Sequence, residues 1–405
     1  MTAIGQKVTR SSLLWLAGLG LALSVQADTP PAAGNAARVD AYGDPLPAGA
    51  VARLGTIRWR HNNTIIFVAY SPDGKEIVTV CQDGIAHVWD AASGKKLRRF
   101  GKADIAAVQI QAVPQAMAVR TEGTAGVALS PEGNTLAVGS SNGSITLWGV
   151  ATGKEVRSFK TALPTGANSL LFALDGKSLF ARGSDAVLRQ YDVAEGKEVR
   201  KFGAVPRPRA FMSFTQGRAG ITPDGKSLVL ADIDYNDNQF STFIKSWDVA
   251  SGKELSSGKG PALQLNLVSI AFAPDGKTVA WGHYSGTHLW DVATGKEIRK
   301  LDGPQRSNST ALAFSPDGKW LAVRGGDQTV RIWDVATGKE LHRLGEPIDP
   351  LLTGVAVIGL GRGWVTSDLA FSPDGKLLAT TTPANKVRQW DVQTGQELEV
   401  RSGDR

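Results

Sequence analysis

Short apolar runs alternate with turn-forming residues along most of this chain. Residues 311–344 show the pattern most clearly, because they divide into four runs separated by a Pro-Asp-Gly turn, a Gly-Gly-Asp turn and a turn that ends at Gly338. Runs of this length that are rich in β-branched and aromatic residues predict strands. Four such strands cannot bury two apolar faces alone, so the pattern predicts copies of itself on both sides.

The chain contains these copies. A Pro-Asp-Gly turn or a close variant recurs in seven units, and in each unit an aromatic residue follows the turn, with a glycine five residues after it. The units are roughly 40 to 60 residues long, and repeats of this length predict a propeller or a solenoid. The aromatic residues are Trp89, Trp148, Tyr191, Trp247, Trp290, Trp333 and Trp390.

These units resemble WD repeats, of a bacterial exported type. The resemblance covers residues 53–401 and is carried by the turns and by Trp-Asp pairs such as 89–90 and 333–334. It implies an all-β fold, a seven-bladed β-propeller of four-stranded antiparallel blades. The Gly-His pair that this family places before the first strand is missing from nearly every unit, and Gly282-His283 lies in a different turn. We therefore expect the side-chain network of each blade to be incomplete.

The N-terminal segment has a different pattern. Lys7 and Arg10 precede an apolar run, Leu13–Val25, and small residues end at Ala27. This predicts a signal peptide at residues 1–27 and a periplasmic or secreted protein with no membrane contact after cleavage. The alternative is an uncleaved anchor, for which the apolar run is short. Residues 28–52, rich in Ala, Pro and Gly, predict a linker, and residues 402–405 a tail.

Two segments compete for the outer strand of the last blade. Residues 57–60 resemble the N-terminal strand that completes the ring in WD-repeat proteins, whereas residues 396–401 match a fourth strand in pattern. We favour residues 57–60, because closing the ring with the start of the chain removes the sheet edges.

Composition and charge narrow the function. The chain is 42% hydrophobic and 20% charged, as in a core-forming globular protein. Its net charge of +7 falls to about +5 without Lys7 and Arg10, and the other basic residues mostly neighbour Glu in the fourth strands, which indicates a solvated rim. Nucleic-acid binding would need a basic patch on one side of the protein, and basic residues that lie beside Glu do not form one. We therefore expect no nucleic-acid binding. Cys81, the single cysteine, is expected to be a small buried apolar residue.

Few residues suggest chemistry. Asp232, Asp234 and Asn236 have the spacing of a calcium loop, but Asp237 stands where such a loop needs Gly, so a polar hairpin extension is the preferred interpretation. The histidines have no metal-binding spacing, and one cysteine cannot complete a zinc set. Residues 359–363 are glycine-rich but lack the context of a phosphate loop. We see no catalytic set, so we predict no enzyme activity and no cofactor.

Length variation indicates a binding surface. The long segments 103–124, 204–218, 231–243, 282–286 and 345–364 all fall on one face of the disc by the geometry of WD repeats. Neutral loop growth is the alternative, but it would not favour one face. We predict a monomeric scaffold that binds a partner protein there. The candidate contact residues are Arg207, Arg209, Tyr235, Phe240, His283, Tyr284, Arg362 and Trp364.

Two other functions stay open. The string Asp-x-x-Thr-Gly-Lys at 291–296 also resembles the blade motif of quinoprotein dehydrogenases, which implies a small molecule or cofactor in the central channel. In that family a Trp follows the Lys, whereas here Trp290 precedes the Asp, and paired cysteines are missing. A sensor or envelope-structural role would have to act through a partner.

Overall fold

The computed structural model divides the chain into two compact units, Met1–Leu54 and Gly55–Arg405. All secondary-structure elements in the described residues are β-strands, and they belong to the second unit. None of the residues that the structure describes form a helix that could cross a membrane. The structure describes residues 38–48, 50, 52, 56–102, 124–163, 166–167, 169–183, 187–203, 218–222, 224–236, 239–262, 269–283, 286–301, 309–347 and 369–398.

Seven antiparallel sheets follow one another, and within each the strands pair in chain order. The first sheet contains β1 (Ile65–Tyr70), β2 (Glu76–Cys81), β3 (Ala86–Asp90) and β4 (Lys96–Phe100). The second contains β5 (Thr124–Leu129), β6 (Thr135–Ser140), β7 (Ser144–Gly149) and β8 (Glu155–Lys160). The third contains β9 (Ser169–Phe172), β10 (Ser178–Arg182), β11 (Leu188–Asp192) and β12 (Glu198–Phe202).

The later sheets repeat this arrangement. The fourth contains β13 (Arg218–Ile221), β14 (Ser227–Asn236), β15 (Gln239–Asp248) and β16 (Glu254–Ala262). The fifth contains β17 (Ser269–Phe272), β18 (Thr278–His283), β19 (Gly286–Asp291) and β20 (Lys296–Leu301). The sixth contains β21 (Ser309–Phe314), β22 (Trp320–Gly325), β23 (Val330–Asp334) and β24 (Glu340–Leu344). The seventh has β25 (Leu369–Phe371), β26 (Leu377–Thr381) and β27 (Val387–Asp391).

The Pro-Asp-Gly turns are held by their own side chains. In the first sheet Ser71 Oγ donates to Asp73 Oδ1 at 2.6 Å and accepts from Glu76 N at 2.9 Å. Gly74 follows with a φ of 71°, which glycine adopts without strain. Equivalent bonds recur at Ser315–Asp317 and Ser372–Asp374. Turn formation therefore accounts for these Ser and Asp residues, as predicted.

The buried apolar residues of the described segments form seven clusters, each shared by two neighbouring sheets. Val78 of the first sheet, for example, belongs to the same cluster as Leu136 of the second. The last cluster joins Ala379 of the seventh sheet to Ile77 of the first. Because the sequence of clusters returns to its start, the sheets close into a ring. The protein is a seven-bladed β-propeller, as predicted.

Each blade also contacts the next one at a glycine. A Cβ added at Gly153 of the second blade would lie 3.3 Å from the ring of Phe100 in the first, and one at Gly395 would lie 3.0 Å from His342 Nδ1. These glycines have φ values of 66° and 71°, so two separate constraints favour glycine there. The other pairs of this kind are Phe159–Gly196, Arg200–Gly252, Gly258–Gly295 and Arg299–Gly338.

Arginines of the outer strands reinforce these contacts. Arg98 Nε donates to Val150 O in the next blade at 3.1 Å, and Arg299 Nη1 donates to Thr337 O at 2.7 Å. We predicted a solvated rim of charge. The structure corrects this for both arginines, because they bind backbone carbonyls of the neighbouring blade.

The N-terminal segment closes the ring at what we call the seam, the junction of the seventh and first blades. Val387 N donates to Trp59 O at 3.1 Å, and His61 N donates to Asn385 O at 2.9 Å. A Cβ at Gly94 of the first blade would overlap the indole of Trp59, so Trp59 takes here the place that an outer-strand residue takes at the other junctions. The prediction that residues 57–60 close the ring holds at the end of this segment: Trp59 and Arg60 reach the edge of β27, but through an isolated bridge and not through a fourth strand.

The C-terminal segment shares the same strand instead of competing for it. Farther along β27, Leu398 N donates to Gln389 O at 2.8 Å, and Glu397 forms a bridge with Trp390. The outer edge of β27 is thus covered by two short segments from opposite ends of the chain.

Part of the predicted linker has a structure of its own. Val39 and Pro45 form an antiparallel bridge, and Leu46 N donates to Arg38 O at 2.8 Å. Residues 38–46 therefore form a compact turn. The predicted signal peptide, residues 1–27, lies outside the described residues.

Candidate functional site

Strand order determines which connections share a face of the disc. In a four-stranded antiparallel meander, the first-to-second and third-to-fourth turns lie at one end of the strands. The second-to-third turns and the connections to the next sheet lie at the other end, which we call the variable face. The two longest connections between strands, residues 101–123 and 345–368, join successive sheets and therefore begin and end there.

The largest feature described on the variable face is the hairpin of β14 and β15. These strands pair continuously from Ser227 with Asp248 to Asn236 with Gln239, whereas β13 pairs with β14 only as far as Ala231. At the usual rise per residue, the remaining part of β14 extends about 17 Å beyond the inner strand. β16 pairs alongside β15 up to Ala262. The predicted hairpin extension is confirmed.

The hairpin carries several of the predicted site residues. Tyr235 and Phe240 are cross-strand partners near its end. Asp232, Asp234 and Asn236 occupy alternate positions of β14, in extended backbone and not in a calcium-binding loop. His283 ends β18 and pairs with Gly286. Outside the described residues lie Arg207, Arg209, Tyr284, Arg362 and Trp364, together with the glycine-rich stretch 359–363.

A polar cavity also opens on the variable face. It lies between the first and second blades, near the β2–β3 and β6–β7 turns, and has a volume of about 270 Å³. Its wall combines Trp148 with hydroxyl and amide side chains, including Ser140, Asn142 and Ser158. Lys102 at its edge is paired with Glu155 at 2.6 Å. The cavity therefore offers hydrogen-bonding groups without a free charge from this lysine.

A second group of side chains comes together at the seam, and we did not group these residues from the sequence. One ring nitrogen of His61, one of His87 and the Sγ of Cys81 all lie within 4.8 Å of one another. The three residues are 7%, 6% and 2% exposed. His61 precedes β1, Cys81 ends β2 and His87 lies in β3. Their sequence spacing matches no metal motif, because strand pairing and ring closure bring them together.

A ring contact and a hydrogen bond position the two histidines of this cluster. The rings of His61 and His87 stack with centroids 4.8 Å apart. His61 Nε2 lies 2.7 Å from Thr79 Oγ1, which also accepts a hydrogen bond from Trp89 Nε1 at 2.9 Å. This His-Thr-Trp network is the one expected to be incomplete, and the first blade forms it although Arg60 replaces the usual glycine.

Other blades lack parts of the network, as predicted. In the seventh blade Trp390 Nε1 donates to Thr380 Oγ1 at 2.9 Å. In the fifth blade Trp290 Nε1 is buried with no hydrogen-bond partner among the described residues. The first blade is thus distinguished from these two by its histidine.

Burial controls the protonation of the seam cluster. Burial and the charge of His87 lower the pKa of His61 to about 3, and burial with Lys96 and Arg99 lowers the pKa of His87 to about 4. Burial, with a contribution from Asp83, raises the pKa of Cys81 to about 12. At neutral pH both imidazoles are therefore neutral and the thiol is protonated. Such groups are poorly suited to acid–base or thiol chemistry, but neutral imidazoles have lone pairs for a metal.

Comparison with known proteins agrees with the repeat architecture. The model of the family "WD domain, G-beta repeat" matches residues 54–90, 121–149, 295–334 and 360–391. The first match runs from the closing segment to the end of β3, and the last ends at Asp391 in β27. No curated protein matches the chain. WD40 repeats at four places, set in a closed ring of seven similar blades, support the placement of this chain in the WD-repeat family.

Proposed function

We propose that this protein is an exported, non-catalytic scaffold that binds a partner protein on its variable face. WD40 propellers commonly act as protein-interaction scaffolds. The observation that carries the proposal is the β14–β15 hairpin, which projects from the face where the long connections begin and end.

The hairpin suits this role because its strands are already paired with one another in the free chain. Its two strands pair along their whole length, and β16 supports one side. A partner would therefore lose little free energy in ordering it. Tyr235 and Phe240 stand near its end, and aromatic residues often contribute most to the affinity of an interface. His283 ends a neighbouring strand, and Arg207, Arg209, Tyr284, Arg362 and Trp364 are proposed as further contacts.

Export forms a separate part of the proposal. Its support is the basic, apolar and small-residue order of residues 1–27. Sequencing the N terminus of the protein from fractionated cells tests it. We expect a mature chain that starts at Asp28 in the envelope or the medium. An intact N terminus in the cytoplasm would contradict export and leave the scaffold proposal standing.

The scaffold test shortens the hairpin without touching the ring. Ile233–Thr242 is replaced by Asn-Gly, which joins the paired residues Asp232 and Phe243 by a favoured two-residue turn. The control carries alanine at Lys75, Lys177 and Lys376, exposed lysines in turns at the opposite end of the strands. Both variants and the unmodified protein are used to capture binding proteins from an envelope extract.

We expect the unmodified protein and the control to capture the same protein and the shortened variant to lose it. Equal capture by all three would exclude the hairpin as the contact. A visible absorbance band in protein purified from its host would instead favour the alternative, a cofactor in the central channel.

A further inference from the structure

The seam brings together two imidazoles and a thiol, the side chains that bind soft metal ions in proteins. We propose that His61, Cys81 and His87 bind one Cu(I) ion and that the ion clamps the closing segment to the first blade. This site is inferred independently of the proposed scaffold function.

Unsatisfied nitrogens point to a missing partner. The Nδ1 atoms of His61 and His87 are both buried and make no hydrogen bond within the described part of the chain. The backbone carbonyls of Trp59 and Asn385 lie near the His61 ring and raise its pKa, but neither forms a hydrogen bond of ordinary geometry with Nδ1. Buried polar atoms normally have partners, so two such nitrogens on histidines that lie beside one thiol are unusual.

Thr79 makes a lone pair on His61 Nδ1 feasible. Trp89 Nε1 can only donate, so Thr79 Oγ1 accepts from it and keeps one hydrogen to give. The carbonyl of His87 lies 3.4 Å away and can take that hydrogen. His61 Nε2–H then donates to Thr79 Oγ1, which leaves Nδ1 unprotonated. Metal-binding histidines are commonly oriented in this way by a bond to the other ring nitrogen.

The distances require a small adjustment. The three ligand atoms lie within 4.8 Å of one another. In sites with metal–nitrogen and metal–sulfur distances of about 2.0–2.3 Å, ligand atoms are roughly 3.5–4 Å apart. Contraction by about 1 Å would close the site. Side-chain rotation can bring the ligand atoms this much closer, because the three residues lie on three separate segments of the chain, namely β2, β3 and the segment before β1.

The chemistry of the site favours Cu(I) over a divalent ion. Thiolate and imidazole are ligands that Cu(I) accepts, and the described residues offer three of them. The surroundings are apolar, with Ile65, Ile77 and Val387 in the same core cluster. Lys96 and Arg99 add positive charge nearby, which disfavours a second charge on the ion.

Binding is a simple exchange of a proton for a metal ion. The Cys81 S–H bond breaks, the proton goes to solvent, and the sulfur forms a bond to Cu(I). No electron is transferred. The thiolate and Cu(I) charges cancel, so the core receives no net charge.

The test uses the full chain, reduced and freed of metal, with Cu(I) supplied from a chromophoric chelator. We expect one Cu(I) per chain and a higher thermal midpoint with the ion bound. Cys81→Ala and His87→Gln should each bind at least roughly tenfold more weakly, because each loses a direct ligand. His342→Ala is the matched control, since this histidine lies in an outer strand, and its affinity should equal that of the unmodified chain.

A second measurement does not depend on affinity. Cys81 is the only cysteine, so its alkylation reports directly on the site. Cu(I) should slow alkylation in the unmodified chain and in His342→Ala but not in His87→Gln, with circular dichroism confirming that each variant is folded. Equal Cu(I) binding by the unmodified chain and Cys81→Ala would overturn the proposal. Tighter binding of Zn²⁺ in a parallel titration would overturn the choice of ion.

Discussion

Aspartates in the blade turns accept hydrogen bonds from neighbouring hydroxyl groups, and these bonds lower their pKa values. The hydroxyl of Ser372 donates to Asp374 Oδ1 at 2.6 Å, and this bond, with one from Lys376 N, holds the pKa of Asp374 below its usual value of 3.8. Asp73, Asp224 and Asp317 are held low by the same kind of hydroxyl bond. The stability that these turns contribute therefore depends on pH.

The sign of this effect can be predicted. A carboxylate with a lowered pKa in the folded state contributes stability above its unfolded pKa of about 3.9, and the contribution disappears as pH falls through the folded pKa. We expect the stability from these turns to be constant from pH 7 to 5 and to decline below about pH 4. Urea unfolding across this range measures it.

A single substitution tests the cause. Ser372→Ala removes the hydroxyl, so the pKa of Asp374 measured by NMR should rise toward 3.8. Ser158→Ala is the control, because Ser158 contacts Thr146 and no carboxylate in the described bonds. An unchanged pKa in Ser372→Ala would show that the backbone bond alone holds the carboxylate.

The same scale shows where sequence reading stops. Ser and Asp in the turns could be assigned from their order alone, because their hydrogen bonds are local. His61, Cys81 and His87 could not be grouped, since nothing in their spacing encodes the pairing of β2 with β3 or the return of the closing segment. A histidine just before the first strand was the one available signal, and the missing glycine before it obscured the match.

Turns of neighbouring blades also pack on one another, which makes some glycines more constrained than others. Gly133 and Gly318 occupy equivalent turns, and both have a φ of 72°. A Cβ at Gly133 would overlap Pro72 Cδ of the preceding blade, whereas a Cβ at Gly318 would lie 3.7 Å from Pro274 Cδ.

This pair of glycines separates backbone strain from crowding. Both alanine substitutions should cost about 1–2 kcal/mol, because each forces a left-handed conformation on alanine. Gly133→Ala should cost about 1 kcal/mol more, since Pro72 must also move. Urea unfolding of the two variants checks the difference. Equal costs would mean that the turn shifts freely and that the contact between blades is loose.

The hairpin shows what sequence can predict about an element. The long segment 231–243, with its polar residues, predicted an extension, and β14 and β15 confirm it. The length of β16 was not predicted, because residues 254–262 carry no strand-like alternation. Ser, Gly and Lys there join the sheet through backbone pairing with β15, which sequence pattern does not report.

For the whole molecule, stability depends on closing the ring. Trp59 is 6% exposed and lies between the blades, with its ring centroid 5.7 Å from that of Trp89. Trp59→Ala should lower the free energy of unfolding by about 3–5 kcal/mol, because it leaves a cavity at the seam.

The matched change lies on the other closing segment. Leu398 bonds to β27 through its backbone, and its side chain is 41% exposed, so Leu398→Ala should have little effect. Calorimetry of both variants measures this. A small loss for Trp59→Ala would show that the C-terminal segment alone can hold the ring closed.

The number of repeats could be predicted from the sequence, whereas the sharing of β27 by the two terminal segments could not. Seven copies of the turn and aromatic pattern were enough to predict seven blades, since each copy must be covered by a neighbour. Two segments that each match an outer strand looked like competitors. They share β27 because Trp59 pairs at its beginning and Leu398 near its end.

The shared strand has a mechanical consequence. Both closing segments bond to β27, so a force that pulls the two chain ends apart acts first on this edge. Each segment is held there by few backbone hydrogen bonds, whereas the described sheets of the other six blades each contain four paired strands. Under tension the ring would open at the seam, and the blades would then unfold one after another from both sides. An ion held by His61, Cys81 and His87 would cross-link the closing segment to the first blade where the force is greatest.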